Sequence, residues 1–201
     1  MIKKSILIIC LIVLATASAT GQKAAIKHNI AYDALLTPNL SLELSIGKKW
    51  TLDTQLGINT FFYEKDATSP HYKEKKFSHW MIQPELRYWT CEKFNGWYIG
   101  SHIMGGQYNI GKIKVPFILS GQKDKMDQHR YEGWAAGFGI STGYQWYLSP
   151  RWNLELSLGL GYMYINYDKF PCATCGSKQD EGHTSYLGPT KAAISLIYII
   201  K

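Results

Sequence analysis

Apolar and polar side chains alternate along two neighbouring stretches in the C-terminal half of the chain. From Trp134 to Trp146 the even-numbered residues are mostly apolar, whereas the odd-numbered residues are small or polar. From Trp152 to Tyr164 every second residue is again leucine or aromatic. A period of two held over such a length predicts β-strands, not helices. The two strands are expected to form a hairpin that turns at residues 148–151.

The same pattern predicts eight strands in the whole chain. They are expected at residues 24–34, 39–47, 50–62, 78–91, 97–108, 131–147, 152–167 and 190–201. After the second strand the connections alternate between short turns and long polar loops, and the long loops are residues 63–77, 109–130 and 168–187. A bulge or bend is expected at Pro84, because proline cannot donate a hydrogen bond to a neighbouring strand.

The strand number and the loop lengths together indicate an architecture. An even number of antiparallel strands, with short turns on one side and longer loops on the other, is typical of bacterial outer-membrane barrels. We therefore predict an all-β, eight-stranded antiparallel up-and-down transmembrane β-barrel of the outer-membrane type. Its short turns and both of its termini are expected in the periplasm, and its long loops outside the cell.

Aromatic residues fall at the predicted ends of the strands and indicate two girdles. One girdle is expected next to the short turns and contains Trp50, Trp89, Trp97, Trp146, Trp152 and Tyr198. The opposite girdle contains Trp80, Trp134 and Tyr164. In the hairpin the two girdles are twelve residues apart on the apolar face, which is roughly 30 Å along the axis at ~3.3 Å per residue and a tilt of ~40°. The outward apolar band of such barrels is ~25 Å tall.

The opposite, polar face of the strands carries charged residues of both signs. If the apolar face contacts lipid, these charges are enclosed and have to pair with one another. We predict a polar network in the lumen, formed by Glu43, Asp53, Glu85, Arg87, Glu155 and Lys191. Eight strands leave just enough room for side chains to fill the interior, so no open pore is expected.

The N-terminus has the pattern of a secretory signal peptide. Lys3 and Lys4 precede an apolar run, and Ala17-Ser18-Ala19 is an A-x-A cleavage site. We predict a signal peptide at residues 1–19 and a single barrel domain at residues 20–201. The hydrophobic fraction of 46% and the aromatic fraction of 14% exclude a disordered chain.

Several stretches of the chain resemble a known family. They are YDALLTPNLSLELSIGKKWTLD, HWMIQPELRYW, FNGWYIGSHIMGGQYN, RYEGWAAGFGISTGYQW, RWNLELSLGLGYMYINYDKF and GPTKAAISLIYIIK. They resemble a domain-of-unknown-function family of small secreted proteins from Bacteroidota-type anaerobes. The resemblance implies an outer-membrane barrel that is often encoded beside fimbrial genes. It implies a non-enzymatic structural or accessory role in fimbria or surface-structure assembly, with a fimbrial or other surface protein as partner.

The sharpest local motif is Cys172-x-x-Cys175. Export implies an oxidising compartment, so a disulfide in the loop is the first expectation, with free thiols or a metal or redox role as alternatives. A zinc site would need two more ligands, and only His183 is near in sequence. We predict no catalytic, cofactor-binding or metal site.

Two alternative functions stay open at this point. A barrel enzyme acting on lipid or lipopolysaccharide would need a histidine, an acid and a serine close together; its candidates are Ser78, His79, His102 and Ser185. A soluble, lipocalin-like periplasmic carrier would point its apolar face inward. The expected surroundings of the barrel are outer-membrane lipid and lipopolysaccharide, and an outer-membrane protein has no access to nucleic acid.

Overall fold

The alternating stretches form β-strands in the computed structural model, which describes residues 24–60, 62–63, 75–111, 129–171 and 177–200. In chain order the elements are β1 (Ala24–Asn29), α1 (Ile30–Asp33), β2 (Asn39–Ser45), β3 (Trp50–Asn59), β4 (Phe62–Tyr63), β5 (Lys75–Trp89), β6 (Gly96–Gly111), β7 (Arg130–Ser149), β8 (Trp152–Phe170) and β9 (Asp180–Ile200). The predicted all-β class is confirmed.

The strands form one antiparallel sheet that closes on itself. Its order is β3-β2-β1-β9-β8-β7-β6-β5-β4, and β3 also pairs with β5. Eight antiparallel strands therefore make a ring, and the two-residue β4 pairs with the first residues of β5. Three short turns join β2 to β3, β5 to β6 and β7 to β8 at one end of the ring, which we call the turn end. The opposite end is called the loop end.

The strands are staggered around the ring. Ala25 on β1 pairs directly with Ile199 on β9. In the other direction, successive pairings lead from Ala25 to Gly188 on β9, through Glu43, Asp53, Glu85, His102, Gly139 and Gly161. The two ends of this path are eleven residues apart on β9, one of which belongs to a register irregularity between β8 and β9. A stagger of this kind requires strands that tilt relative to the ring axis.

The two faces of the ring differ in polarity. Large apolar side chains point outward and stay exposed; Phe138, Ile140 and Leu160 are each more than 60% exposed. Most of the fully buried side chains are polar or charged, such as Arg87 and Glu155. The polarity is therefore the reverse of that of a water-soluble protein, in which apolar side chains fill the interior.

The first strand is shorter than predicted. Residues 30–34, which we expected in the strand, form α1 and the start of a turn. The side chain of Asn29 ends the strand: its oxygen accepts hydrogen bonds from the backbone N–H groups of Ala31 and Ile194, and its amide donates to the carbonyl of Ala192. Asn29 thus caps α1, and its side chain also contacts Ile194 and Ala192 of β9 beyond the last backbone pair.

The last strands are longer than predicted. Residues 168–187 were expected to be a loop, but β8 continues to Phe170 and β9 begins at Asp180. Pairing between them extends to Lys169 and Asp180. The outer positions Glu181, His183 and Ser185 of the added β9 segment are polar, so the apolar alternation that predicts a strand is missing there. As a result, β5 to β9 form a wall that is taller than the wall of β1 to β3.

Pro84 interrupts pairing on one side of β5. The strand continues through Pro84, which faces Thr54 of β3. On the other side, pairing with β6 stops at Ile82–Gly105 and resumes at Glu85–His102. The missing N–H of proline explains why the irregularity faces β6.

Some predictions fall outside the described residues. They are the signal peptide at residues 1–19 and the pairing of Cys172 with Cys175. Cys91 is described, and it is a free, exposed thiol in the turn after β5. Within the described segments, the structure has no α-helix of the length and apolarity needed to span a membrane.

Candidate functional site

The interior of the ring contains a buried ion-pair network. All six residues predicted for the lumen belong to it: Glu43 from β2, Asp53 from β3, Glu85 and Arg87 from β5, Glu155 from β8 and Lys191 from β9. Lys27 from β1 is a seventh member that the sequence pattern did not single out. Its strand has too few residues to show a clear alternation, although Lys27 shares its buried face with Ala25 and Asn29.

Arg87 is the centre of this network. Its Nε and Nη2 atoms donate to Glu85 at 2.9 and 2.8 Å. Nη1 donates to Glu43 and to Glu155, each at 3.0 Å, and Nη2 also donates to Asp53. These bonds use all five N–H groups of the guanidinium. One side chain therefore joins carboxylates from four strands.

The two lysines complete the cationic side of the network. Lys27 Nζ donates to Glu155 at 2.6 Å and to Glu43 at 3.0 Å, and lies 3.5 Å from Asp53. Lys191 Nζ donates to Glu85. Three cations thus face four carboxylates, and every one of these charged side chains is at least nine-tenths buried. Burial without these partners would cost several kcal/mol per ion.

Each carboxylate uses its second oxygen for a hydroxyl group. Thr51 donates to Glu43 at 2.5 Å and Tyr98 donates to Glu155 at 2.9 Å. Ser41 donates to Asp53, and Ser141 donates to Glu85. Hydrogen bonds to a carboxylate stabilise its charged form. The network is therefore saturated on the carboxylate side, and a cavity of about 10 Å³ inside it is no larger than one water molecule.

Glycines on the inner face make room for this network. A Cβ atom at Gly100 would lie 2.5 Å from Glu85 Oε1 and 2.7 Å from Ser141 Oγ. A Cβ atom at Gly139 would lie 2.7 Å from His102 Nε2. Small residues are therefore required where the interior side chains approach the backbone of β6 and β7.

Replacing Gly100 with alanine is expected to destabilise the protein by about 1–3 kcal/mol, because the added methyl group displaces Glu85 from its partners. Gly105 on the same strand is a matched control, since the nearest atom to a Cβ there is a backbone oxygen at 3.9 Å. Urea titration followed by tryptophan fluorescence would measure both free energies of unfolding. Equal effects at the two positions would contradict the packing argument.

Aromatic side chains close the interior at the turn end. Phe94 lies in the turn between β5 and β6 with a positive φ of 61°, and its side chain is buried with Ala25, Ile197 and Ile199. Trp89 packs 6.1 Å from Phe94 and 5.0 Å from Tyr98, measured between ring centroids. The Tyr98 ring in turn lies 4.4 Å from the Arg87 guanidinium carbon. An apolar layer therefore separates the ion-pair network from the turn end.

Trp89 does not belong to the outer girdle in which we predicted it. It is fully buried, and its indole N–H donates to Thr51 Oγ1 at 2.9 Å. Trp89 shares the odd-numbered face of β5 with Glu85 and Arg87, so strand parity places it inside. The position at a strand end suggested a girdle, but the alternation along the strand decides its direction.

The other predicted girdle residues lie on the outer face. At the turn end, exposed tryptophans are Trp50, Trp97, Trp146 and Trp152, and Tyr198 packs against Trp152 with ring centroids 5.2 Å apart. Nearer the loop end, Trp80 and Trp134 are exposed, and Tyr164 lies 5.6 Å from Trp134. Exposed leucine, isoleucine and phenylalanine side chains occupy the surface between these two bands.

The candidate residues for acid–base chemistry are not brought together. His102 Nε2 lies 2.9 Å from Thr190 Oγ1 inside the ring. His79 Nε2 lies 3.5 Å from Thr37 Oγ1, and Ser185 Oγ hydrogen-bonds to the Tyr162 hydroxyl at 2.7 Å. Each of these pairs belongs to a different part of the interior or of the surface. In the described part of the chain, these contacts do not form a serine–histidine–acid chain.

The projecting wall at the loop end carries a row of carboxylates on its outer face. Glu132, Asp168 and Glu181 are directly paired across β7, β8 and β9. Lys178 bridges two of them, at 2.7 Å from Asp168 and 2.6 Å from Glu181. The hydrogen bonds to Asp168 and Glu181 raise the pKa of the Lys178 ammonium above its usual value. Like charges in neighbouring strands repel each other, and Lys178 offsets that repulsion.

The chain matches a known protein family. The sequence profile of a family described as "Protein of unknown function (DUF3575)" matches residues 6–200. No curated protein matches the chain.

Proposed function

We propose that this chain, which belongs to the DUF3575 family of proteins of unknown function, is an integral outer-membrane β-barrel with a structural rather than a catalytic role. In this proposal the eight-stranded ring crosses the membrane, and outer-membrane lipid and lipopolysaccharide surround its apolar face. The short turns and both termini lie in the periplasm. The projecting wall of β5 to β9 lies outside the cell.

The observation that carries the proposal is the reversed polarity of the ring. Its outer face exposes a continuous belt of apolar side chains, whereas its interior holds three cations and four carboxylates. Exposed apolar patches of more than a few hundred Å² are rare on monomeric soluble proteins. A lipid environment removes that cost, and a closed ring leaves no unpaired strand edge within the apolar layer.

The height of the apolar belt supports a membrane span. Trp134 and Trp146 lie on the outer face of β7 near its two ends, twelve positions apart. At ~3.3 Å per residue and a tilt of ~40°, they are separated by roughly 30 Å along the axis. Outer-membrane barrels have aromatic girdles at both edges of a ~25 Å apolar band. The two aromatic bands therefore fit the two membrane interfaces.

The filled interior supports a structural role. The buried ion-pair network and the aromatic layer around Phe94 both lie across the interior, and neither leaves room for a solute to pass. The same polarity argues against a lipocalin-like carrier, whose interior has to be apolar to bind its ligand. The separated histidines and serines argue against a lipid-modifying enzyme.

Heating and extraction would test membrane insertion directly. We expect the protein to stay in the membrane fraction until detergent is added. We also expect the unheated, folded form to migrate differently from the heated form on a denaturing gel. Release of the mature protein by salt or carbonate alone would overturn the proposal.

The free thiol of Cys91 allows the orientation to be measured. In a chain with Cys172→Ser and Cys175→Ser, a membrane-impermeant maleimide is expected to label Cys91 only after the outer membrane is permeabilised, because the turn after β5 faces the periplasm. A Ser177→Cys, Cys91→Ser chain with the same two replacements is the matched control, since Ser177 lies at the loop end. It should be labelled in intact cells. Labelling of Cys91 in intact cells would rule out this orientation.

We further propose that the exposed wall has an accessory role in assembling a surface structure such as a fimbria. The support for this role is the resemblance to a family encoded beside fimbrial genes. A photoreactive amino acid at Glu181, whose side chain is 76% exposed on β9 beyond the Trp134 band, would test it in living cells. Cross-linking to a fimbrial subunit from Glu181, but not from Tyr147 near the turn end, is the expected result. Cross-links to lipid alone would contradict the accessory role.

A further inference from the structure

The three short turns of the ring carry an excess of positive charge. The turn after β2 contains Lys48 and Lys49, the turn after β5 contains Lys93, and the turn after β7 contains Arg151. Glu92 is the one carboxylate in these three turns by sequence. In these three turns cations therefore outnumber carboxylates by four to one.

Two of these cations lie next to the outer aromatic band, whereas Lys93 donates a hydrogen bond to the buried Ser45 hydroxyl. Lys49 Nζ lies 6.0 Å from the centroid of the exposed Tyr88 ring and donates to the carbonyl of Thr90 at 2.8 Å. Arg151 Nη1 donates to the hydroxyl of Tyr198 at 2.9 Å. Both contacts hold a positive charge at the boundary between the apolar belt and the solvent beyond it.

The opposite end of the belt has a different charge pattern. There the outer face carries the row of Glu132, Asp168 and Glu181, with Lys178 between two of its members. At the turn end, the apolar belt, the aromatic band and the cations follow one another along the axis. In a lipid layer, the acyl chains, the interfacial region and the phosphate groups follow in the same order, so the two surfaces are complementary. At the carboxylate row, Arg130 and Lys178 pair with the carboxylates, so their charges offset one another and leave no free cationic layer among the described residues there.

We propose that the turn-end rim, formed by Lys48, Lys49 and Arg151, binds the phosphate headgroups of anionic phospholipids. This inference rests on the proposed membrane span, and it names the lipid that the rim selects. The apolar belt alone would accept any acyl chain. The rim adds a preference for negatively charged headgroups, because each lysine or arginine near a membrane surface attracts anionic lipid.

A competition between lipids would measure this preference. The detergent-purified full chain is reconstituted in brominated phosphatidylcholine, whose bromine atoms quench the fluorescence of the exposed tryptophans. Unlabelled phosphatidylglycerol or unlabelled phosphatidylcholine is then added, and the recovery of fluorescence gives their relative binding constants. We expect phosphatidylglycerol to be favoured at least fivefold, the factor that corresponds to about one effective charge. High salt should bring the ratio towards one.

Two triple variants separate the rim from general charge effects. In Lys48→Gln, Lys49→Gln, Arg151→Gln the ratio is expected to fall close to one. In Arg130→Gln, Lys169→Gln, Lys178→Gln, which removes three cations at the loop end, it should stay unchanged. A heat-dependent gel shift shows whether each variant is folded. If the rim triple variant does not fold, Arg151→Gln alone replaces it, and we then expect a partial loss of the preference for phosphatidylglycerol.

The outcomes distinguish the inference from the proposed function. If the folded rim variant keeps the preference, or if the loop-end variant loses it, the rim does not select the lipid. If brominated lipid fails to quench the fluorescence of the unmodified protein, the membrane span itself is wrong. Quenching together with equal affinity for both lipids would leave the span intact and overturn only the rim.

Discussion

Replacing Arg87 with methionine is expected to lower the free energy of unfolding by about 3–5 kcal/mol, the usual effect of removing one partner from a buried ion pair. Arg87 donates all five of its hydrogen bonds to carboxylates. Without it, four buried carboxylates face only Lys27 and Lys191. Methionine keeps much of the volume, so the loss measures charge and hydrogen bonding more than packing.

Urea unfolding of the protein in detergent micelles, followed by tryptophan fluorescence, would measure this effect. Arg151→Met is the matched control, because Arg151 is exposed at the turn end and its removal should cost less than about 1 kcal/mol. Adding Asp53→Asn to Arg87→Met should recover part of the lost stability, since it removes one of the unpaired charges. Similar losses for Arg87→Met and Arg151→Met would show that the network does not stabilise the ring.

Replacing Ile140 with arginine is expected to destabilise the membrane-inserted protein by about 2–4 kcal/mol. Ile140 is 69% exposed on the outer face of β7 and lies midway between Trp134 and Trp146. In a water-soluble protein, a charge at so exposed a position would change stability by about 0.5 kcal/mol or less. The substitution therefore separates the two environments by the size of its effect.

Tyr147→Arg is the control for this prediction. Tyr147 is also exposed, at 61%, but it lies beside the turn end, where an arginine is expected to cost about 0–1 kcal/mol. Reversible urea unfolding from lipid vesicles gives both values. Equal and small effects of Ile140→Arg and Tyr147→Arg would indicate that the outer face contacts water and would contradict the membrane span.

The sequence predicts the strands best where one face is apolar along the whole strand. The hairpin of β7 and β8 follows the alternation closely, because its outer face is continuously apolar between the two aromatic bands. The prediction fails where this contrast ends. Residues 180–185 of β9 are polar on the outer face, and residues 30–34 leave β1 because the Asn29 side chain favours a helix start. Neither boundary therefore follows from hydropathy.

The sequence predicts which residues form most of the ion-pair network, but it does not predict which of them contact one another. Charged residues at alternate positions of β2, β3, β5 and β8 had to share one face, and the ring brings them together. Which of them is central depends on the stagger of the strands, and pairings between distant strands are invisible in local patterns. The inward direction of Trp89 could have been predicted, because Trp89 lies two residues after Arg87 on the same strand and therefore on the same face. Its position at a strand end suggested an outer girdle residue instead.

The pairing of β1 with β9 also bears on the order in which the protein folds. This seam joins residues that are 166 to 176 positions apart in the chain, over just six residue pairs. The β7–β8 hairpin forms from neighbouring residues, whereas long-range pairs have to overcome a larger loss of chain entropy and form slowly. The seam is therefore expected to close last, after the C-terminal strand is complete. The hydrogen bond from Lys27 on β1 to Glu155 on β8 can form only at that stage, and it then links the first strand of the chain to a strand near its C-terminus.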